Sequence, residues 1–490
     1  MAAVVVLVVV LRMGWISDDA FIAIRSVDHL VHGHGLTVNL DERVQSFTSP
    51  LWALVCIPFF WITRDPYAAL MLPALCLAGV LVVVVAWGGR RQPLWGAIAL
   101  LTLASSSSFA EFSTSGLENP LAHVLAALFV GERLANHDRP TRLCFLLAGG
   151  LSLTRFDDVL LTLPVLAHAL MVNRRAALRS AWPAMAVVGA WLLVATFYYG
   201  FPLPNTAYAK LNTAIPAGQK IAQGISYLVD SIYRDPIVAI VFGAGAFVVT
   251  RRQTTLAARL LLSGVGLYLL YVVAIGGDFM SGRFLTTSYV VCVLVVASQI
   301  AFLPRVPLVA AFGLAVMVLG SFSDRRAERT QTDCVVPRSG VVDERECYVE
   351  QTGLVANIRE EKWRTHGYLR DFEEHVGRSP EHVVVHDLVG LASYANSAEK
   401  HVVERFALTE PLLARIRIAP GPGWRIGHFF REIPAGYLET LRSGQNTIAD
   451  PCLHALYDEL SPVIHGPLWK WSRLAHIVRL NWGRSTCPSP

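Results

Sequence analysis

Residues 14–25 read Gly-Trp-Ile-Ser-Asp-Asp-Ala-Phe-Ile-Ala-Ile-Arg and follow directly on the apolar run Met1–Met13. At 1.5 Å per residue that run is too short to cross a bilayer core of about 30 Å. A signal-peptide core would lead into a small-residue cleavage site, but Trp15-Ile16-Ser17-Asp18-Asp19 follows instead. The run is therefore read as a first transmembrane helix with a short start. Two adjacent acids then stand where hydrocarbon meets water, and partial burial with mutual repulsion should raise one of their pKa values. A carboxylate tuned in this way can act as general base on a hydroxyl. The competing reading is structural, because Asp favours helix N-termini.

The rest of the chain supports a membrane setting. Its 490 residues are 53% hydrophobic and 16% charged, with a mean hydropathy of +0.45; soluble domains carry roughly 25% charged residues. That balance excludes a simple cytosolic enzyme, a disordered protein and a nucleic-acid-binding arm. The net charge of +5 is unevenly spread, with apolar runs filling 1–321 and a soluble-type charge density over 322–490. The expected fold is a polytopic α-helical membrane module, 1–321, with a C-terminal extracytoplasmic α/β domain, 322–490.

Long apolar runs recur at about 67–88, 94–111, 118–132, 143–172, 182–199, 236–250, 256–275, 284–303 and 306–321. Arg90-Arg91, Arg133 to Arg142, Arg174-Arg175 with Arg179, Arg251-Arg252 and Arg305 fall in one set of loops, the cytoplasmic set by the positive-inside rule. Ser105 to Glu118, Pro202 to Arg234 and Gly276 to Arg283 form the outer set. Leu51 to Thr63 holds Pro58 and would break this parity if it crossed, so an interfacial helix on the outer side is expected there. That makes 14–66 a first outer loop. The 143–172 run must cross twice, broken by the polar stretch Leu153 to Asp158, which at membrane depth survives only in a protein-walled or wet cavity. The expected total is about 11 transmembrane helices.

Cys334, Cys347, Cys452 and Cys487 all lie in the C-terminal part. They could form two disulfides if that domain is outside the cytoplasm, or remain four buried thiols. His29, His32 and His34 fit no strong zinc spacing, and no metal site is expected from them.

Several strings carry a resemblance. They are Ser17-Asp18-Asp19-Ala20, Gly33-His34-Gly35-Leu36, Asn39, Glu42-Arg43-Val44 and Thr48-Ser49-Pro50-Leu51-Trp52. Further along come Gly116-Leu117-Glu118-Asn119-Pro120, Leu153-Thr154-Arg155, Asn205-Thr206-Ala207-Tyr208-Ala209-Lys210 and Gly276-Gly277-Asp278 to Arg283. Together they resemble the GT-C superfamily of polytopic glycosyltransferases that use lipid-phosphate sugar donors, closest to the mycobacterial terminal β-(1→2)-arabinofuranosyltransferase group. The likeness covers roughly residues 14–320 and is weaker over 322–490.

The resemblance implies transfer of a sugar, arabinofuranose above all, from a polyprenyl-phosphate donor to a cell-envelope glycan or glycosylated surface acceptor. It places the chain in the bacterial inner membrane, with the active site and C-terminal domain outside the cytoplasm. Asp18 and Asp19 would be catalytic, taking the acceptor proton or holding the acceptor. Arg25, His29, Glu118, Arg155, Tyr208, Lys210, Asp278 and Arg283 would bind donor or acceptor, around a cleft accessible from lipid. No cofactor is required, although a divalent cation bridging the donor phosphate and Asp18 or Asp19 is compatible with the chemistry.

Plainer roles stand beside these. Glu118 could complement a helix dipole. Arg155 could pair with Asp157 and Asp158. Lys210 could snorkel, and Asp278 with Arg283 could flank a tight turn. The C-terminal domain could bind the acceptor through aromatics such as Trp424 and Tyr437, or simply pack as a lid. Pro467 to Arg484 mixes tryptophans with basic residues, a composition suited to the membrane interface. The rival function is a transporter or flippase of lipid-linked sugars, which also uses charges on broken helices. Against it, no repeated half is visible in the sequence.

Overall fold

The computed structural model describes residues 1–136, 140–300, 313, 315–317, 320, 336–395, 400–418, 421 and 424–483. The chain packs as two compact units that interleave along the sequence. One takes residues 1–17, 70–188 and 217–363; the other takes 18–69, 189–216 and 364–490. The boundary expected at 321 and most of the run at 306–321 lie outside the described residues. The packing joins the first loop and 189–216 to residues from 364 onward.

The first unit is helical. Its helices include α1 (Ala2–Met13), α5 (Pro93–Ala104), α7 (Asn119–Ala135), α8 (Arg142–Thr154), α9 (Val159–Val172), α12 (Ala217–Arg234), α13 (Pro236–Thr250), α14 (Leu256–Ile275) and α15 (Thr286–Ile300). Their branched and small apolar side chains form one continuous core that includes Val10, Leu103, Val124, Leu161, Val265, Tyr289 and Val295. Breaks fall where the sequence supplies them. Pro236 starts α13 just after Asp235, and α12 and α13 bend by 109° there. The Asp235 carboxylate accepts from Ser106 Oγ at 2.6 Å and from the Ser108 amide at 2.9 Å, which fixes that bend. Gly276 ends α14 with φ +97°, a left-handed turn that favours glycine. Gly264 lets α14 press on α9, since a Cβ there would stand 2.1 Å from the Leu161 carbonyl oxygen.

Among the described residues, three helices are long and apolar enough to cross a membrane: Pro66–Arg91, Arg174–Tyr199 and Leu256–Ile275. The bent pair α12 and α13 makes a fourth if taken as one span. The expectation of about eleven crossings rests on apolar runs rather than on helices. Apolar runs that looked continuous are cut into helices of 12–17 residues, each reaching only about 18–26 Å. The 94–111 run divides after Ala104. The 143–172 run divides at Arg155, whose backbone is extended, and resumes at Val159. The break expected over 153–158 is therefore present.

The second unit holds α2 (Ala20–Val31), α3 (Pro50–Thr63), α11 (Asn205–Leu211) and a two-stranded parallel sheet, β1 (Val383–Val385) with β2 (His401–Val403). Val383 pairs with His401, Val384 with Val402 and Val385 with Val403. Further helices, Tyr437–Ser443, Pro451–Ile464 and Trp471–Trp482, build a core of Tyr437, Tyr457, Leu460, Val463 and Ile464 with Val44 and Phe201. The helix expected at 51–63 is α3. Asn205 amide hydrogens reach the carbonyls of Ala407 and Glu410 at 3.0 and 3.1 Å, so part of the 205–210 string holds the unit together. Cys347 and Cys452 are each disulfide-bonded, while Cys334 and Cys487 lie outside the described residues.

Replacing Gly264 with Val would force α14 off α9. The expected loss is about 1–3 kcal/mol, read as a lower melting midpoint of the detergent-purified protein.

Candidate active site

The acidic pair opens α2 through its backbone. The Asp18 and Asp19 carbonyls accept from the Phe21 and Ile22 amides at 3.0 and 3.2 Å, and no side-chain carboxylate caps the helix. Asp19 thus occupies the N-cap position without its carboxylate making a capping bond. Asp18 Oδ1 accepts from the Leu391 amide at 2.7 Å. This approach requires a glycine next door, because a Cβ on Gly390 would meet Asp18 Oδ2 at 2.4 Å. Burial first, and the neighbouring Asp19 charge second, push the Asp18 pKa up to about 7, against a smaller opposing effect of the Leu391 amide. A carboxyl tuned to neutrality can take a proton at physiological pH.

One turn on, α2 presents Arg25, Asp28 and His29 to an open pocket of about 460 Å³, solvent-facing space included, which His32, His34, Ser393 and Tyr394 also line. Arg25 is buried and donates to the Val38 carbonyl at 3.2 Å and to the Ser393 carbonyl. His29 Nδ1 lies 2.9 Å from the Thr37 carbonyl. A carbonyl only accepts, so Nδ1 carries the hydrogen. Burial, with the Arg25 charge behind it, lowers the His29 pKa to about 4, so the ring is neutral and Nε2 offers a lone pair.

Tyr208 lies on α11 beside a smaller space lined by Arg43, Phe201 and Arg415. The Arg415 guanidinium stacks over Phe201 at 3.9 Å and over Tyr208 at 4.9 Å. Lys210, on the same helix, is exposed to solvent.

The other four candidates meet in the first unit. Glu118 Oε1 accepts from Arg155 at 2.9 Å and from Arg283 at 3.1 Å. Arg155 also forks onto Asp157 at 2.8 and 3.1 Å and lies over the Phe284 ring at 4.3 Å. Arg283 stands 3.5 Å from Asp278. Sequence separations of up to 165 residues are closed here. Of the two ion pairs expected for Arg155, that with Asp157 forms, whereas the Asp158 oxygens are buried with no hydrogen-bond partner among the described residues. The charge balance is informative: two guanidiniums face Glu118, Asp157 and Asp278. A phosphate would enter this cluster only by exchanging with a carboxylate.

Among the described residues, the side chains grouped so that they could hold a cation are Glu42, His401 and Glu410, not the histidines of 29–34. Their spacing of up to 368 positions gives no motif, and Glu42-Arg43-Val44 was the only trace of them in the sequence.

Removing Glu118 would take one carboxylate from each of two buried guanidiniums, leaving Asp157 for Arg155 and Asp278 for Arg283. Glu118→Ala is expected to destabilise by about 3–5 kcal/mol and Glu118→Gln by less, measured by denaturant unfolding in detergent.

Comparison with known proteins places these residues in context. The chain is similar to the terminal beta-(1->2)-arabinofuranosyltransferase of Mycobacterium tuberculosis, 28% identical over 407 residues, which cover 69% of this chain and 63% of that protein. It is also similar to the terminal beta-(1->2)-arabinofuranosyltransferase of Corynebacterium glutamicum, 27% identical over 336 residues, covering 55% of this chain and 46% of that protein. The chain thus spans about half to two thirds of the length of these curated relatives. No family model matches it, and no solved structure matches it.

Proposed function

We propose that this chain, a relative of the terminal β-(1→2)-arabinofuranosyltransferases, is a membrane glycosyltransferase that moves an arabinofuranosyl unit from a polyprenyl-phosphate donor to an extracytoplasmic glycan or glycosylated acceptor. The observation that carries the reading is the Asp18 carboxylate: uncommitted to helix capping, beside Asp19, and poised near neutrality. Asp18 takes the proton as an acceptor hydroxyl oxygen bonds to the anomeric carbon. The bond from that carbon to the donor phosphate breaks, and polyprenyl phosphate leaves with the electron pair. Asp19 holds the acceptor by hydrogen bonds and keeps Asp18 basic. Arg25 suits the leaving phosphate better than Arg155 and Arg283, because the bonds described for Arg25 go to uncharged carbonyls. Neutral His29 offers its Nε2 lone pair to accept from a sugar hydroxyl. Lys210, exposed on α11, is proposed to meet the donor headgroup.

The arginine-rich loops set out above favour a bacterial inner-membrane orientation with the acidic pair outside the cytoplasm. The disulfides at Cys347 and Cys452 favour the same oxidising side. Trp469, Trp471 and Trp482 are 85%, 84% and 73% exposed beside Lys470 and Arg479, a composition that fits the membrane interface.

In membranes supplied with polyprenyl-phosphate arabinose, Asp18→Asn is expected to lower transfer about 100- to 10,000-fold while donor translocation continues. Loss of translocation with the same substitution would instead support a flippase. The base is active when deprotonated, so kcat/KM should rise with pH through an apparent pKa near 7. Asp19→Asn should move that limb to lower pH by only part of the displacement, since burial is the larger cause.

Gly390→Ala, far away in sequence, is expected to displace Asp18 and lower kcat about 100-fold with little change in KM. Unchanged kinetics would separate Asp18 from the chemistry.

A further inference from the structure

We propose that Glu42, His401 and Glu410 form a binding site for one divalent cation of the zinc class. The stretch 39–44 brings Glu42, β2 begins with His401, and the loop after β2 brings Glu410. All three are buried, and one ligand atom from each lies within 4.8 Å of the other two.

The arrangement of the remaining atoms points inward. His401 Nδ1 is held by the Asp41 carboxylate at 2.8 and 3.0 Å. A carboxylate on one ring nitrogen fixes the tautomer and directs the other lone pair, as partners of metal-bound histidines do. Here that leaves Nε2 facing Glu410 Oε1 at 3.5 Å. Two ligands at about 2.0–2.2 Å from a tetrahedral ion stand about 3.4 Å apart.

Each glutamate has one oxygen anchored and one left over. Glu42 Oε1 accepts from Asn39 at 3.0 Å, and Glu410 Oε2 accepts from the Tyr437 hydroxyl at 2.8 Å. The other two oxygens are both buried. Among the described residues, Glu42 Oε2 has no hydrogen-bond donor, and Glu410 Oε1 has beside it only His401 Nε2 at 3.5 Å, which donates nothing while the ring hydrogen sits on Nδ1. Asn39 Nδ2 lies 3.5 Å from His401 Nε2 but is committed at shorter range to Glu42. Buried orphan acceptors are rare and need a cause; a cation between them satisfies both.

Two carboxylates balance a 2+ ion, and imidazole in the set favours zinc over calcium or magnesium. Water completes the fourth position. The ion would cross-link residues 39–44 to residues 401–410 and take no part in sugar transfer, so this site stands or falls independently of the enzymatic reading.

The test uses full-length protein purified in detergent, stripped with EDTA and dialysed against Zn²⁺, with Mn²⁺ as a second arm, then assayed for metal by mass spectrometry. One zinc per chain is expected, with a higher melting midpoint than the stripped protein. The double variant E42Q/E410Q should lose it, and His32→Ala with His34→Ala, at exposed histidines, should keep it. Asp41→Asn should weaken zinc binding about 10- to 100-fold with unchanged circular dichroism. Wild-type protein that takes up neither ion would overturn the proposal. So would zinc lost in the His32/His34 variant but kept in E42Q/E410Q. If E42Q/E410Q fails to fold, Asp41→Asn decides alone, and an unchanged zinc Kd overturns the site.

Discussion

The Asp18 carboxylate rests against backbone that has no side chain to repel it. Only glycine at 390 permits this, and the Leu391 amide then meets Asp18 Oδ1 at 2.7 Å. One hydrogen bond to the charged form lowers a carboxyl pKa, whereas burial and a like charge raise it; here the raising effects win. The consequence for folding is unfavourable at neutral pH. The native state holds the Asp18 proton to about pH 7, whereas an unfolded chain releases it near 4. Any stability Asp18 contributes is thus present at low pH and declines as pH rises from about 4 to about 7. Carboxyls perturbed in this way cluster at functional sites, which is the ground for the proposed role of Asp18.

The buried arginines divide into two kinds. Arg155 and Arg283 face carboxylates, so each charge is cancelled locally and the cluster ties α7, the 155–158 break and the turn after α14 into one arrangement. Arg431 and Arg473 instead fan onto carbonyls: Arg431 onto Phe429 and Ala209 at 2.8 and 2.6 Å, Arg473 onto Val463, Phe197 and Tyr198 at 2.7–3.0 Å. Burial lowers both pKa values to about 10, which still leaves them charged. Carbonyl dipoles satisfy the donors without removing the charge. The second unit therefore holds these buried arginines mainly through carbonyl dipoles.

The sequence disclosed the helical class, the break over 153–158 and the short helix at 51–63. Each has a local cause, such as apolar length, a proline or a charge at membrane depth. What it hid depends on contacts between distant positions. Whether Asp18 and Asp19 capped α2 could not be read from Asp-Asp, since the same residues cap or catalyse according to where the carboxylates turn. The role of Gly390 was equally silent, because its neighbour is 372 positions away. The cation-shaped group at Glu42, His401 and Glu410 was invisible for the same reason. Hydropathy registers apolar length but not where a long run ends one helix and starts the next, as after Ala104.

The two units pose different physical problems, and the same residue types solve them in different ways. In the first, helix contacts are made close by glycines such as Gly224 and Gly264, whose added Cβ atoms would fall 2.3 and 2.1 Å from carbonyl oxygens of Val273 and Leu161. Small residues at helix crossings are the means of packing where the hydrophobic effect is weak, so this pattern itself argues for a lipid surround. In the second, polar side chains reach backbone over long sequence distances, as Asn39 does to Val402 and Asn205 to Ala407. Bonds of that kind gain strength only when water is excluded around them. They fix the loop that begins at Asp18 without a large sheet to support it. The Asp18 carboxyl on that loop is thereby held by hydrogen bonds that leave little slack.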